Sequence, residues 1–442
     1  MTDPLLELRN ADVLSALDAE LARGLAELMG ETRGSVLLAA ALVSRATRDG
    51  HVCADLRTLA GTELRNPEDD AIVLRCPVLS DWRADLTTSP LVGNGAPPTP
   101  LVLIRDRLYL RRHWDDERRL ALALRERCER PALPGNPEVL RALVRRLFGE
   151  GSSVPDWQRI AAEVAAVSRL TVISGGPGTG KTSTVTKLLA LLVSDALAAG
   201  NPRPRALLLA PTGKAAARLA EAVARSKSSL DCPEEVRNRL PNEARTVHRA
   251  LQIDRHGQFR IDRERQLFAD VVVVDEASMI DVALMRRLVE AVPENARLIL
   301  LGDHRQLASV EAGAVLADLC GGAHEAGATY SSALDERLTR VFGEPLPAGS
   351  VGALRSAVGD SVVTLKKSFR FDEASPLGAL STAIQRGNVD AVLALVRASG
   401  VEFLEPRGPG LDPRLFDLAA TRFHAFATSQ TPEEALDRLG SF

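Results

Sequence analysis

The segment Thr171-Val172-Ile173-Ser174-Gly175-Gly176-Pro177-Gly178-Thr179-Gly180-Lys181-Thr182 sets a short β-rich run directly before a glycine-rich turn and a helix start. Gly175 to Thr182 fit the pattern GxxxxGK[ST], in the strand–loop–helix context that the pattern needs. Glycines let the backbone curl so that successive N–H groups face one anion. The helix start adds its positive dipole end. Gly175, Gly176, Pro177, Gly178, Thr179 and Gly180 are therefore expected to cradle the phosphates of ATP. Lys181 is expected to reach the β- and γ-phosphates, and Thr182 to offer its hydroxyl to Mg²⁺.

Working outward, Val271–Val274 followed by Asp275-Glu276-Ala277-Ser278 reads as a buried strand that delivers an acidic pair to one sheet edge. Asp275 is expected in the Mg²⁺ shell, and Glu276 beside the attacking water. A helix N-cap is the bland alternative for the pair. A third strand, Arg297–Leu301, leads into Gly302-Asp303-His304-Arg305-Gln306. In a parallel sheet that end lies on the P-loop's edge, so Gln306 is placed to sense the γ-phosphate. Asp303 and His304 read equally well as turn residues. Thr212 and Lys214, after the run Ala206–Ala210, suit phosphate contacts, and Thr246 and His248 suit contacts to the backbone or a base; solvated helix starts compete with both readings. Gln158, just before the first strand, carries an amide able to clamp an adenine edge.

Alternating strands and helices after residue 155 predict a parallel sheet covered by helices on both faces. Expected strands are Thr171–Ser174, Ala206–Ala210, Val271–Val274, Arg297–Leu301 and Val362–Leu365. Helices are expected near 181–198, 213–226, 281–292, 313–320 and 376–398. The predicted architecture is α/β: a mainly helical partner-docking domain over 1–150 and a P-loop domain with a parallel sheet over 151–358. A hairpin is expected as an insertion at about 229–268, and 321–359 reads as a long loop. A small hairpin is expected at Leu101–Leu110. Phe259 and Phe371 are candidate base-stacking platforms.

Composition narrows the class. The chain has 442 residues, 45% hydrophobic and 26% charged, with a formal net charge of −3. Those are ordinary values for a globular protein, with no global basic field. No apolar run approaches the ~20 residues of a membrane span. Met1-Thr2-Asp3-Pro4 reads as neither a secretory signal nor a basic transit peptide. Five scattered cysteines without a CxxC pair suggest neither zinc nor a disulfide framework and fit a reduced, cytoplasmic setting. Only six of the 55 basic residues are lysine, so Lys181 and Lys214 inside motifs stand out.

The segments GGPGTGKT, APTGKAAARLAEA, RTVHRAL, VVVVDEASM, LLGDHRQLASVEAGAVLADL and LKKSFRF resemble, in order and spacing, the superfamily 1 DNA helicases. DEASM, GDHRQLASVEAGAVLADL and SFRF are similar to the RecD branch, as is the region around Leu37–Leu56. The resemblance implies that 151–358 is a RecA-like P-loop ATPase domain and 359–442 the start of an incomplete second RecA-like domain. The resemblance implies a 5′→3′ DNA helicase using ATP and Mg²⁺, a motor subunit of exodeoxyribonuclease V (RecBCD) in double-strand break repair and DNA end degradation. Its partners would be single-stranded or duplex-end DNA and the other two subunits of the heterotrimer, with the nuclease in another subunit. Gln158 would read adenine. Gln306 and Arg370, the latter in Ser368-Phe369-Arg370-Phe371, would face the γ-phosphate. Thr212, Lys214, Thr246 and His248 would line the DNA track.

One departure stands out: beyond Arg370, up to Phe442, no T-x-x-x-S-Q-G or T-R-A-K type motif of a second lobe is found. A chain without that lobe is expected to bind ATP and hydrolyse it poorly, because a second arginine is missing. Two other readings follow, a truncated ATP-binding scaffold and a stand-alone RecD-like helicase. The latter lacks support from helix-hairpin-helix repeats in residues 1–150.

Overall fold

Four consecutive valines, Val271–Val274, form an interior strand of the main sheet, and every one is buried. A strand covered on both faces has no polar side, so the run is continuous rather than alternating. In the computed structural model, which describes residues 3–96, 98–149, 155–306, 309, 311–324, 330–352, 357–367, 375–398 and 413–440, this strand is one of six. Across the sheet they run Val362–Leu365, Leu170–Gly175, Arg297–Gly302, Val271–Val274, Ala206–Ala210 and Ala244–Thr246. All neighbouring pairs are parallel. Register aligns Leu365 with Gly175, Gly302 with Ser174, and Ala210 with Thr246. The carboxyl ends therefore share one edge, which the sequence required of its motifs.

Helices cover both faces. On one side Trp157–Val167 and Lys181–Ala198 lie in a core with Leu188, Leu191 and Ile173. On the other, Val282–Ala291 packs with Leu120 and Leu124 of the long helix Arg111–Glu129. Residues Met1–Arg370 form one compact unit. Within it, the N-terminal region has its own core around fully buried Trp82. Three helices, Pro4–Asn10, Ala16–Met29 and Gly34–Arg48, pack there beside a four-stranded sheet that includes the expected Leu101–Leu110 hairpin. The region is thus helical with small sheets rather than helical alone. Ser15 and Asp18 close the second of these helices in a capping box, and Gly30 ends it with φ +69°.

Three expectations change. Residues 321–359 are not one long loop: Ser332–Phe342 is a helix with Leu334, Leu338 and Phe342 buried, and Tyr330 bridges to Val351. The segment 229–268 is not a single hairpin. It contributes the edge strand Ala244–Thr246 and two short helices, and only the bridge Ile253–Phe259 has hairpin character. Val362–Leu365 belongs to the main sheet, beside the P-loop strand, so the boundary expected at 359 falls beyond that strand. The second compact unit, Phe371–Phe442, shows the helices Pro376–Gln385, Val389–Ala398, Pro413–Ala427 and Pro432–Gly440, and no strand among its described residues. Among the described residues no helix is long and apolar enough to cross a membrane.

Arg127 ties the long N-terminal helix to the sheet domain. Its guanidinium is buried and donates to the carbonyls of Val289 (3.2 Å), Val292, Pro293 (3.2 Å) and Ala296 (3.4 Å). Burial lowers its pKa to about 10, so it stays charged at neutral pH. It satisfies carbonyls at the end of the helix Val282–Ala291 that water does not reach. Arg127→Ala is expected to lower unfolding free energy by roughly 3 kcal/mol, because several buried acceptors lose their donor. Arg125→Ala, at an exposed pair with Glu129, should stay within about 0.5 kcal/mol in the same urea titration.

Candidate functional site

The loop after Leu170–Gly175 is shaped by glycine for two separate reasons. A side chain at Gly175 would put its Cβ 2.6 Å from Thr179 Oγ1 and 3.1 Å from Leu365 Cβ. Gly178 and Gly180 hold φ of +79° and +81°, the left-handed region that glycine enters without steric cost. The helix Lys181–Ala198 that follows has no side-chain cap. Its first N–H groups are left for an outside acceptor. Thr179 donates to Gly176 O at 2.9 Å, and Lys181 Nζ donates to the carbonyls of Gly175 (2.5 Å) and Gly176 (3.2 Å). Gln158, one residue after the helix start capped by Asp156, donates its amide to Thr179 O at 3.0 Å. Asp156 caps the helix, and that helix brings Gln158 onto the loop.

Asp275 extends the ladder of its strand, its N–H donating to Leu209 O at 2.9 Å. Burial pushes its carboxyl above the usual range and the Glu276 charge adds to this, while the Glu276 N–H and the Lys181 charge pull it back. The Glu276 N–H bond to Asp275 Oδ1 is 2.9 Å. Glu276 itself is left-handed, φ +51° and ψ +40°, a costly conformation for a residue with a Cβ. It starts the short 3₁₀ turn Ala277–Met279. Gly302 is required by crowding there: a Cβ would lie 2.4 Å from Leu316 Cδ2 and 3.2 Å from Ser278 N.

The third strand ends in a folded turn. Buried Asp303 accepts from Arg305 N (3.1 Å) and from Gln306 Nε2 (3.4 Å). Asp303 thus shapes the turn and restrains Gln306. His304 Nδ1 meets Ser174 Oγ at 2.7 Å, pinning the turn to the P-loop strand. That link was not legible from spacing, because it needs the register of two strands 130 residues apart.

At the other flank, Thr212 and Thr246 each cap a helix with the hydroxyl, accepting from Ala215 N and Arg249 N. The strands ending there are neighbours. Lys214 and His248 are exposed beside those caps. Phe259 packs under the Arg287 guanidinium at 4.4 Å and against the core, so it is not a free platform. Arg370 and Phe371 lie outside the described residues. Two features escaped the sequence reading: Lys366 stands over the Trp157 ring at 4.5 Å, and the Ser278 hydroxyl is buried without a hydrogen-bond partner.

The donor set fits a magnesium triphosphate. Among the described residues no three His, Cys, Asp or Glu side chains gather to hold a metal by themselves. Mg²⁺ is commonly held by one or two protein ligands together with phosphates and water. The Thr182 hydroxyl, the Asp275 carboxylate and the uncapped helix end supply that kind of partial shell.

Comparison with known proteins agrees in order along the chain. Residues 10–109 match the family described as RecBCD enzyme subunit RecD, N-terminal domain, and residues 158–312 match an AAA domain. The RecBCD enzyme subunit RecD of Mycobacterium tuberculosis is 43% identical over 412 residues, covering 92% of this chain and 62% of that protein. The chain therefore spans less than two thirds of that relative's length. The ATP-dependent RecD2 DNA helicase of Deinococcus radiodurans is 36% identical over 200 residues, 40% of this chain and 24% of that protein. A crystal structure of Pif1 helicase from Candida albicans aligns with TM-score 0.34 and 17% identity over 64% of this chain and 56% of that one.

The strain at Glu276 is measurable. Glu276→Gly should be more stable than Glu276→Ala by about 1 kcal/mol in chemical denaturation, since only glycine accepts φ +51° without penalty. Equal stabilities would mean that the left-handed turn is relaxed in solution.

Proposed function

The chain is a homologue of the RecD subunits and carries their N-terminal domain, and on that premise we propose that it is an ATP-driven motor on single-stranded DNA. The observation carrying the reading is the sheet edge at which Lys181 sits on the P-loop carbonyls while its charge acts on Asp275. A lysine that follows one strand and a carboxylate that ends a strand two places away thereby share one sheet edge.

ATP is the substrate, with Gly175 to Thr182 around its phosphates and Gln158 toward the base. Lys181 exchanges its loop carbonyls for β- and γ-phosphate oxygens. Thr182 and Asp275 would hold Mg²⁺, which would supply charge neutralisation at the phosphates. Glu276 accepts a hydrogen bond from the attacking water and orients it in line with the γ-phosphorus. The β–γ bridging oxygen leaves with ADP. Gln306, released from Asp303, and Arg370 face the γ-phosphate. Thr212, Lys214, Thr246 and His248 hold the DNA backbone, and their strands lie on the same rigid sheet. The partners are the remaining two subunits of an exodeoxyribonuclease V-type complex, reached through the N-terminal region. The work is double-strand break repair and DNA end degradation, in the cytoplasm. The stand-alone alternative is disfavoured by the short reach of the RecD2 match beside that of RecD.

Titration with a fluorescent ATP analogue should show Lys181→Ala binding about 10-fold or more weakly, the loss of a charge-assisted contact. Glu276→Gln should bind like the parent and hydrolyse about 10²-fold more slowly in the presence of dT oligomer. Binding unaffected by Lys181→Ala would overturn the nucleotide site. A second measurement addresses DNA. Lys214→Ala should weaken oligomer binding and flatten its salt dependence by roughly 0.7 in log–log slope, one phosphate's worth. A slope that stays unchanged would remove Lys214 from the track.

A further inference from the structure

A groove of about 580 Å³ lies beside the edge strand Ala244–Thr246, outside the nucleotide site. Its floor is apolar: Leu207 and Leu209 of the neighbouring strand, with Leu267. Its rim carries three amide side chains, Asn242, Gln252 and Gln266. One end of the groove reaches Arg245 and Ala250, on either side of the Thr246–His248 turn, and the other end reaches Phe268, near the amino ends of the strands Ala206–Ala210 and Val271–Val274. Phe268 forms one wall and remains 71% exposed. The Arg205 guanidinium lies 3.4 Å from the Phe268 ring centroid, covering one face with a cation. An aromatic ring backed by a cation and lining a cleft is a stacking surface.

The charges on the rim say which part of a ligand fits. Arg245 and Glu243 pair with each other at 3.7 Å, both in the lining. Arg245, the one cation among the lining residues, is engaged by Glu243, which makes it a poor partner for a phosphate. A neutral planar group with apolar faces and hydrogen-bonding edges suits it. Amides donate and accept, which is the chemistry of base edges. Gln252 is held at φ +53°, a strained backbone at the rim. Strain of this kind collects at ligand-contacting positions.

We propose that this groove receives a nucleobase of the single strand, stacked on Phe268 and met at its edge by Gln252 and Gln266. The inference rests on the DNA reading of the adjacent Thr246–His248 turn. It divides labour: the helix caps hold phosphates, and the groove holds a base that has left the stack.

The test uses the 442-residue chain, fluorescence anisotropy, and two oligomers of equal length and charge, one of dT and one fully abasic. The parent should bind dT at least about fivefold more tightly than the abasic strand. Phe268→Ala, at an exposed position where folding is not at stake, should erase that difference, and Phe268→Trp should restore it. The salt slope should be the same for parent and Phe268→Ala, because no phosphate contact is lost. Equal binding of the two oligomers by the parent, or a Phe268→Ala variant that still discriminates, overturns the groove while leaving the DNA track intact. An apolar protein segment as the true occupant gives that second result. A parent that binds neither oligomer overturns both the groove and the DNA reading.

Discussion

A single ammonium holds the glycine-rich loop to itself. Lys181 Nζ is bound to the Gly175 and Gly176 carbonyls, and its charge acts on Asp275. That arrangement needs close backbone approach at Gly175 and two left-handed glycines in five residues. It also needs a sheet whose register brings strands from distant parts of the chain to end together. The parallel ladder from Val362–Leu365 to Ala244–Thr246 supplies this, and its cost in buried backbone is offset by complete pairing between buried strands. The P-loop glycines would otherwise be a flexible turn.

Much of this edge was legible because each motif combines residue type with context. Val271–Val274 ends on acids, and Leu170–Gly175 ends on glycines. The strands Ala206–Ala210, Val271–Val274 and Val362–Leu365 lie where apolar runs predicted them. What escaped has physical reasons. Ala244–Thr246 is only three residues and half-exposed, too short for a period of two to register. The helix Ser332–Phe342 carries Leu334, Leu338, Val341 and Phe342 at helical spacing, yet it sits in a stretch rich in Gly, Ala and Ser. Its anchor is tertiary: Ser331 is held by Asp360, 29 residues on. Contacts such as Ser174–His304 and Arg127 with four carbonyls depend on register and packing, which no local pattern encodes.

The turn after the third strand joins more than the nucleotide edge. Gly313, shortly after Gln306, has φ +107°, and a Cβ there would lie 2.9 Å from Val282 Cβ and 3.2 Å from Val52 Cγ1. Its N–H donates to Gly50 O at 3.0 Å, and Val282 N–H donates to Ala312 O at 3.2 Å. The segment carrying Gln306 is therefore fixed at one end by Ser174 on the P-loop strand. At the other it is wedged between the N-terminal region and the helix that follows the acidic pair. Glycine at 313 is what lets three segments of the chain meet at that spot.

This placement gives the sheet two working flanks joined by stiff elements. Leu170–Gly175 and Arg297–Gly302 end at the glycine-rich loop and the Asp303 turn; Ala206–Ala210 and Ala244–Thr246 carry the capped turns and the groove. Between them runs Val271–Val274, buried along its length and hydrogen-bonded on both sides. At its carboxyl end Asp275 continues the ladder to Leu209, and Glu276 leaves it in a left-handed conformation, so the backbone strain sits where the strand's pairing ends.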